Sequence, residues 1–428
     1  MTLISTIRYL ILGWVETQLL DPAFHFHYYG FSWVAPLPGQ GMYLVFVLMV
    51  LASLGVLLGY FYRISSLLFF LCFTYVELID LTYYLNHYYF ISIISFLLIL
   101  VPANANFSVD VMRNPALKKD YVSRWCIDLF KLQIAIVYCF AGLAKINYDW
   151  LFRALPLAIW LPAKTSIPLV GPLFGYKFTA YLFSWTGMLF DTFIVGALIW
   201  KRTRLLAYIT LVIFHITTGM LFQIGIFPVV MISATVLFFS NEFHLKLLKF
   251  FNGLFRRSTL SLHTTALNAQ LPTQMSRLLM GFLTIFLLFQ LLFPWRYLLY
   301  NGNVFWTEQG YRFSWRVMLM EKSGTATFYV QDGPEGREGA VITGQFLNAH
   351  QEKQMAMQPD MIIQFAHYLA DHYQTLGMED PRIRAEVWVT LNGSPAQLLI
   401  DPQRDLTTLE DSWSEKTWIL PWSRSLSD

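Results

Sequence analysis

Apolar runs long enough to cross a bilayer recur through the first 300 residues of this chain, and no other feature limits its fold as strongly. A crossing helix needs ~20 residues, because each residue rises about 1.5 Å through a hydrocarbon layer about 30 Å thick. Met42 to Tyr62, Ile64 to about Tyr84, Phe178 to Trp200, Leu205 to Leu221, Ile224 to Ser240 and Leu278 to Trp295 meet or approach that length, as does a helix that ends near Lys145. Tyr88 to Val101 is shorter, and residues 3–20, which carry Arg8 and Glu16, form a weak or interfacial run that reads as an uncleaved anchor. The expectation is a polytopic α-helical membrane protein of about 8–9 spans. Composition agrees, with 56% hydrophobic and 13% charged residues and a mean hydropathy of +0.48.

Function classes fall away on the same grounds. A net charge of +3, scattered along the chain, offers nothing to nucleic acid, so membrane lipid is the expected surrounding partner. Cys72, Cys126 and Cys139 lie in or beside apolar runs and form neither a disulfide framework nor a metal cluster. No zinc or di-metal spacing, Gly-rich phosphate loop or serine elbow occurs.

From Asn303 the composition becomes that of a water-soluble domain. TATFYVQDG and AEVWVTLNG alternate apolar and polar residues and end in Asp-Gly and Asn-Gly, which are hairpin turn signals. Between them, Pro359 to Thr375 places Met361, Ile362, Phe365, Tyr368 and Leu369 at helical spacing. The chain therefore divides into a membrane domain, 1–300, and a small α+β extramembrane domain, 301–428. A polar stretch within 241–277 reads as a flexible linker, and the Pro- and aromatic-rich segment 151–177 reads as a lid lying on the membrane.

Arg63, the basic residues of 113–124, Lys201, Arg202, Arg204 and the 246–277 cluster fall in alternate connections and so share one face. The positive-inside rule makes that face cytoplasmic. Lys145, the 151–177 segment and the C-terminal domain then share the other face.

The helix QIAIVYCFAGLAKINYDW, residues 133–150, carries an apolar run that ends in Lys145, with Asp149 and Trp150 a turn later. A lysine at such an end commonly snorkels to the interface. Other polar residues surround it, however: Asn86 and His87 end one span on its face, Asp191 lies inside another, and His215 lies in the next. Asn104 closes the fourth span on the opposite face. Such groups either hydrogen-bond between helices or line an interior cavity. A desolvated lysine favours its neutral amine, which can act as a base toward a lipid-soluble substrate in an aromatic pocket.

The runs MYLVFVLMVLASLGVLLGYFYRISSLLFF, NHYYF, YCFAGLAKINYDW and FHITTGMLFQIGIF, with FSW at Phe313–Trp315, EVWVTLNG, IDP at Ile400–Pro402 and TWILP, occur in an order that resembles the vitamin K-dependent γ-glutamyl carboxylase family over residues 42–422. The resemblance implies a bacterial-type homologue that couples oxygenation of reduced vitamin K or menaquinone to its epoxide, using O2, with carboxylation of a glutamate-containing peptide or protein by CO2. It implies Lys145 as the initiating base and His215 as a partner of the quinone or the glutamate. Asn104, His87, Asn86, Asp191, Trp150 and Phe222 complete the expected quinone and substrate site. One departure stands out: animal carboxylases align a histidine after the asparagine, where this chain has Ala105. Three readings stay open: the carboxylase, a quinol oxygenase or epoxidase that spares glutamate, and a non-catalytic quinone-binding membrane protein.

Overall fold

The computed structural model describes residues 1–222, 224–254 and 276–423. In chain order its principal helices begin with α1 (Thr2–Ile11), α2 (Gly41–Leu58), α3 (Tyr62–Ile79), α4 (Asn86–Leu100), α5 (Trp125–Ala144) and α6 (Tyr148–Phe152). There follow α7 (Lys177–Ile199), α8 (Arg204–Leu221), α9 (Phe227–Thr235), α10 (Asn241–Leu254) and α11 (Arg277–Leu292). The C-terminal part holds β1 (Lys322–Asp332), β2 (Glu338–Ala340), α12 (Ala349–Met355), α13 (Pro359–Thr375), β3 (Pro381–Leu391) and β4 (Gln397–Leu398).

Among the described residues six helices are long and apolar enough to cross a membrane, or seven if a bent pair counts as one. Six or seven candidate spans thus stand where 8–9 were expected, and the difference has three local reasons. The first run stops as a helix after ten residues and continues as a π-helical turn at Glu16–Leu20. The run from Ile224 is helical only from Phe227 to Phe238, and the next helix, starting at Asn241, leaves it at 116°. α4 has only 15 residues. It nevertheless runs back along α3, and Tyr62 Oη at the start of α3 donates to the carbonyl of Leu98 near the end of α4 at 2.6 Å. In the linker 241–277, Asn241–Leu254 is helical, and the polar stretch read as flexible lies outside the described residues.

The basic connections gather at one end of the bundle. Asp110 accepts from the backbone N–H groups of Phe61 and Tyr62, and Lys119 N–H donates to the Ala105 carbonyl, so the 59–63 turn, the end of α4 and the approach to α5 meet there. The opposite end carries the C-terminal sheet, order β2-β1-β3-β4, antiparallel throughout. Alternation works as the pleat requires: Ile383, Ala385, Val387, Val389 and Leu391 of β3 are wholly buried, with polar residues between most of them. They share one core with Met361, Ile362, Phe365 and Leu369 of α13. Burying each such aliphatic or aromatic side chain is worth about 1.5–3 kcal/mol, which secures the helix on the sheet.

The segment read as a lid is built into that core. Ala154, Leu157 and Leu161 are buried in the same cluster as Trp150 and the sheet residues, so the first part of 151–177 is packed into the core, whereas Leu169, Val170, Leu173 and Tyr176 farther on are exposed. The loop after Asp21 is pinned likewise: Gln351 Nε2 donates to Asp80 Oδ2 at 2.7 Å, beside His25 Nδ1 at 3.2 Å, and Gln364 exchanges two hydrogen bonds with the His27 backbone.

Candidate functional site

Lys145 caps the C-terminal end of α5 and is 6% exposed. Its Nζ donates to Asp191 Oδ2 at 2.7 Å and to the Ala141 carbonyl at 3.2 Å. The pairing depends on how closely α5 and α7 approach. A Cβ on Gly142 would stand 2.7 Å from the backbone nitrogen and 2.9 Å from the Cα of Thr192, so only glycine lets the two backbones come together here. Thr192 follows Asp191 directly, and the carboxylate is thereby delivered to the lysine. A buried ion pair must repay the desolvation of both charges, which makes this a costly arrangement unless it serves a purpose.

Two turns earlier on α5, Tyr138 Oη and His215 Nε2 of α8 are 2.7 Å apart. Seven residues separate Tyr138 from Lys145, about 10 Å along one face of the helix. His215 Nδ1 is buried with no partner, among the rings of Phe190, Phe214 and Phe227 at 6.2, 5.5 and 5.7 Å. Phe227 also meets His87 at 5.9 Å, so one ring joins the two histidines.

Above this cluster Trp150 covers the lysine. Lys145 Nζ lies 5.4 Å from its ring centroid, and Trp150 Nε1 donates to the Ser184 carbonyl at 2.7 Å, which fixes the indole. Asp149, 4% exposed, accepts from Asn392 Nδ2 at 3.1 Å, with Arg153 at 4.0 Å. Asn392 and Gly393 both have positive φ, 51° and 76°, and form the tight turn after β3. Asn86 receives a hydrogen bond from Tyr84 Oη at 3.1 Å and donates to the carbonyl of Arg316 at 3.0 Å.

The structure thus brings Lys145, Asp191, Trp150, His215, His87 and Asn86 to one end of the bundle, under the C-terminal sheet. It does not bring Asn104 there. Asn104 Nδ2 donates to Asp110 Oδ2 at 2.9 Å in the turn network at the basic end, the full length of α5, about 30 Å, from Lys145. The expectation that Asn104 shares the Lys145 site is therefore corrected: Asn86 starts α4, and Asn104 lies in the turn beyond its other end. Ala105 goes with it, its carbonyl bound to Lys119 N–H. Phe222 packs on Trp160 at 5.7 Å, at the edge of the cluster. Tyr138, Phe227 and Asn392 were not singled out from sequence, although each stands in a run that was: YCFAG, IGIF and TLNG.

Two cavities lie near this end. One of about 820 Å³, lined by Phe70, Glu77, Tyr89, Phe289, Arg296 and Arg312 among others, lies between α3, α4, α11, the 28–31 loop and the C-terminal domain and is not lined by Lys145, Asp191 or His215. The chemistry of the lysine cluster outweighs mere volume, so it is not taken as the reaction site. A smaller one of about 270 Å³ abuts the end of α5, between Leu143–Asp149 and Tyr297, Phe305 and Arg316. No metal-binding group of three or more ligands occurs among the described residues.

Comparison with known proteins agrees with this architecture in both parts. Residues 1–243 match the HTTM domain, and residues 275–425 match the vitamin K-dependent gamma-carboxylase, lumenal domain. No solved structure matches the chain. The apolar helices make it an integral membrane protein, and the lumenal label agrees with an extracytoplasmic C-terminal region.

Proposed function

The chain belongs to the vitamin K-dependent γ-glutamyl carboxylase family, and from that premise we propose that it is a quinol-dependent carboxylase that converts reduced vitamin K or menaquinone to its epoxide with O2 and adds CO2 to the γ-carbon of a protein glutamate. The observation that carries this reading is a buried lysine paired with a single carboxylate, Asp191, at the membrane end that faces the lumenal-type domain.

The surroundings suit a flat hydroxylated ring: an orphaned imidazole nitrogen, His215 Nδ1, stands among three phenyl rings. A bound reduced naphthoquinone supplies, together with O2, the base strength that removing a glutamate γ-proton demands. Lys145 Nζ in its neutral form takes the first proton. Asp191, its Oδ2 2.7 Å from Nζ, is placed to stabilise the resulting ammonium. Tyr138 orients His215, whose free nitrogen holds a ring oxygen. Trp150 and the buried Ala154, Leu157 and Leu161 exclude water, which would quench a strong base. The expected setting is a bacterial inner membrane with the C-terminal domain in the periplasm.

The test uses purified protein with reduced menaquinone or vitamin K, O2, labelled bicarbonate and a short glutamate peptide, following epoxide and peptide-bound label together. Both products, lost in Lys145→Ala and reduced about 100-fold in Asp191→Asn, are expected for removal of a base and of its charge partner. Epoxide without label points to a quinol oxygenase, and neither product with quinone still bound points to a binding protein.

A further inference from the structure

Arg316 is the buried cation that the reading above leaves unexplained. The residue is 6% exposed, and its guanidinium lies over the rings of Tyr297 at 4.1 Å and Phe305 at 5.7 Å. Its Nε is buried with no hydrogen-bond partner, its guanidinium is hydrogen-bonded to the uncharged side chain of Tyr297, and it has no carboxylate ion-pair partner among the described residues. The neighbouring buried cations differ: Arg312 is held by Asp360 at 2.5 Å, and Lys322 by Glu308 at 2.8 Å. An uncompensated buried charge is costly, so it persists where an anion from outside completes it.

The place of Arg316 says which anion. It lines the cavity of about 270 Å³ whose opposite wall is the last turn of α5 and the Asn147–Asp149 turn beside Lys145. Ile146 and Tyr148, also on that wall, are more than half exposed, so the cavity is not sealed on that side. Pockets that enclose a whole small molecule run from about 300 Å³ upward, so this one suits a side chain better than a prenylated ring. The backbone of Arg316 is fixed to Asn86, which precedes His87 in the lysine cluster. Asp149 lines the same cavity but has its carboxylate engaged by Asn392 at 3.1 Å.

We propose that this cavity is the subsite for the substrate's glutamate side chain, with Arg316 binding its γ-carboxylate and setting the γ-methylene at the edge of the Lys145 cluster. The assignment rests on the carboxylase reading, names its substrate-recognising residue, and makes Arg316 a specificity determinant rather than a base. A planar guanidinium fork matches a carboxylate in two parallel hydrogen bonds, a geometry that lysine cannot reproduce.

The experiment measures binding of a fluorescent glutamate peptide and of its glutamine counterpart to the full-length protein in detergent, alongside carboxylation of the glutamate peptide. Wild type is expected to prefer glutamate by about ten- to a hundredfold, the worth of a hydrogen-bonded charge pair. Arg316→Gln should erase that preference and raise the peptide KM by a similar factor, while Arg316→Lys, which keeps the charge and loses the fork, retains part of it. Arg316→Lys also serves if Arg316→Gln does not fold. Full discrimination in a folded Arg316→Gln, or equal behaviour of Arg316→Lys and wild type, overturns the assignment. If wild type forms epoxide but carboxylates nothing, the carboxylase reading itself has failed, a result distinct from carboxylation that ignores residue 316.

Discussion

Asn392 Nδ2 donates to Asp149 Oδ2 at 3.1 Å, across 243 residues of chain, and ties the turn after β3 to the segment that follows Lys145. The contact is buried and charge-assisted, so its loss is worth about 1.5–3 kcal/mol. Asn392→Gly keeps the positive φ that the turn needs while removing the amide. It is expected to lower glutamate carboxylation about tenfold more than epoxide formation, because the sheet then no longer holds the peptide side of the site against α5. Parallel assays of the two products check this; an unchanged ratio would mean that docking and coupling are independent.

Gly142 predicts a second outcome. A Cβ there meets the Thr192 backbone at 2.7–2.9 Å, and neither helix backbone can yield by a rotamer change. Gly142→Ala should push α5 from α7, break the Lys145–Asp191 pair and cost at least 1–3 kcal/mol of stability, the usual range for overpacking. Thermal unfolding together with epoxide turnover measures both effects. Wild-type behaviour in both would show that the helices have slack at this crossing.

Ala105→His, which family likeness suggests as a way to enhance carboxylation, is expected to do nothing for either reaction. Residue 105 sits at the basic end of the bundle, about 30 Å from Lys145 by the length of α5. Equal product yields in variant and wild type are the expected result, and a selective gain in peptide label would contradict this placement.

Asp360 gives a pH dependence. Burial pushes its carboxyl up, but the Arg312 guanidinium, by charge and hydrogen bonds, more than reverses this and holds it at about 2. An unfolded aspartate titrates at about 3.9, so the pair contributes about 2–3 kcal/mol above that pH. Because the folded value is the lower one, that stability is lost as pH falls from about 4 through about 2. Unfolding profiles should therefore steepen in that interval for wild type and lose the added steepness in Asp360→Asn. The same acid slope in both proteins would assign the effect to other carboxylates.

Much of the fold was legible because hydropathy and turn chemistry are local. The helix Pro359–Thr375 has the bounds that its spacing indicates, and the strands containing TATFYVQD and AEVWVTL end at the Asp-Gly and Asn-Gly steps. Span count was less legible, since an apolar run such as 224–240 does not reveal that its helix ends at Phe238 and that the next helix, from Asn241, leaves it at 116°. Lys145, His215 and Asp191 could be picked out singly, as ionisable groups that hydrocarbon would not tolerate without purpose. Sequence alone determined a membrane bundle, a small α+β appendage, and a short list of polar residues with something to explain. Only the tertiary structure decided which of them meet: a glycine crossing sets Asp191 on Lys145, Phe227 joins His87 to His215, and the two ends of α4 send Asn86 to the site and Asn104 away from it. The physical reason is that helix packing, which brings residues 46 or 77 positions apart within hydrogen-bond reach, is set by side-chain shape across helices, and shape has no periodic signature along a single chain.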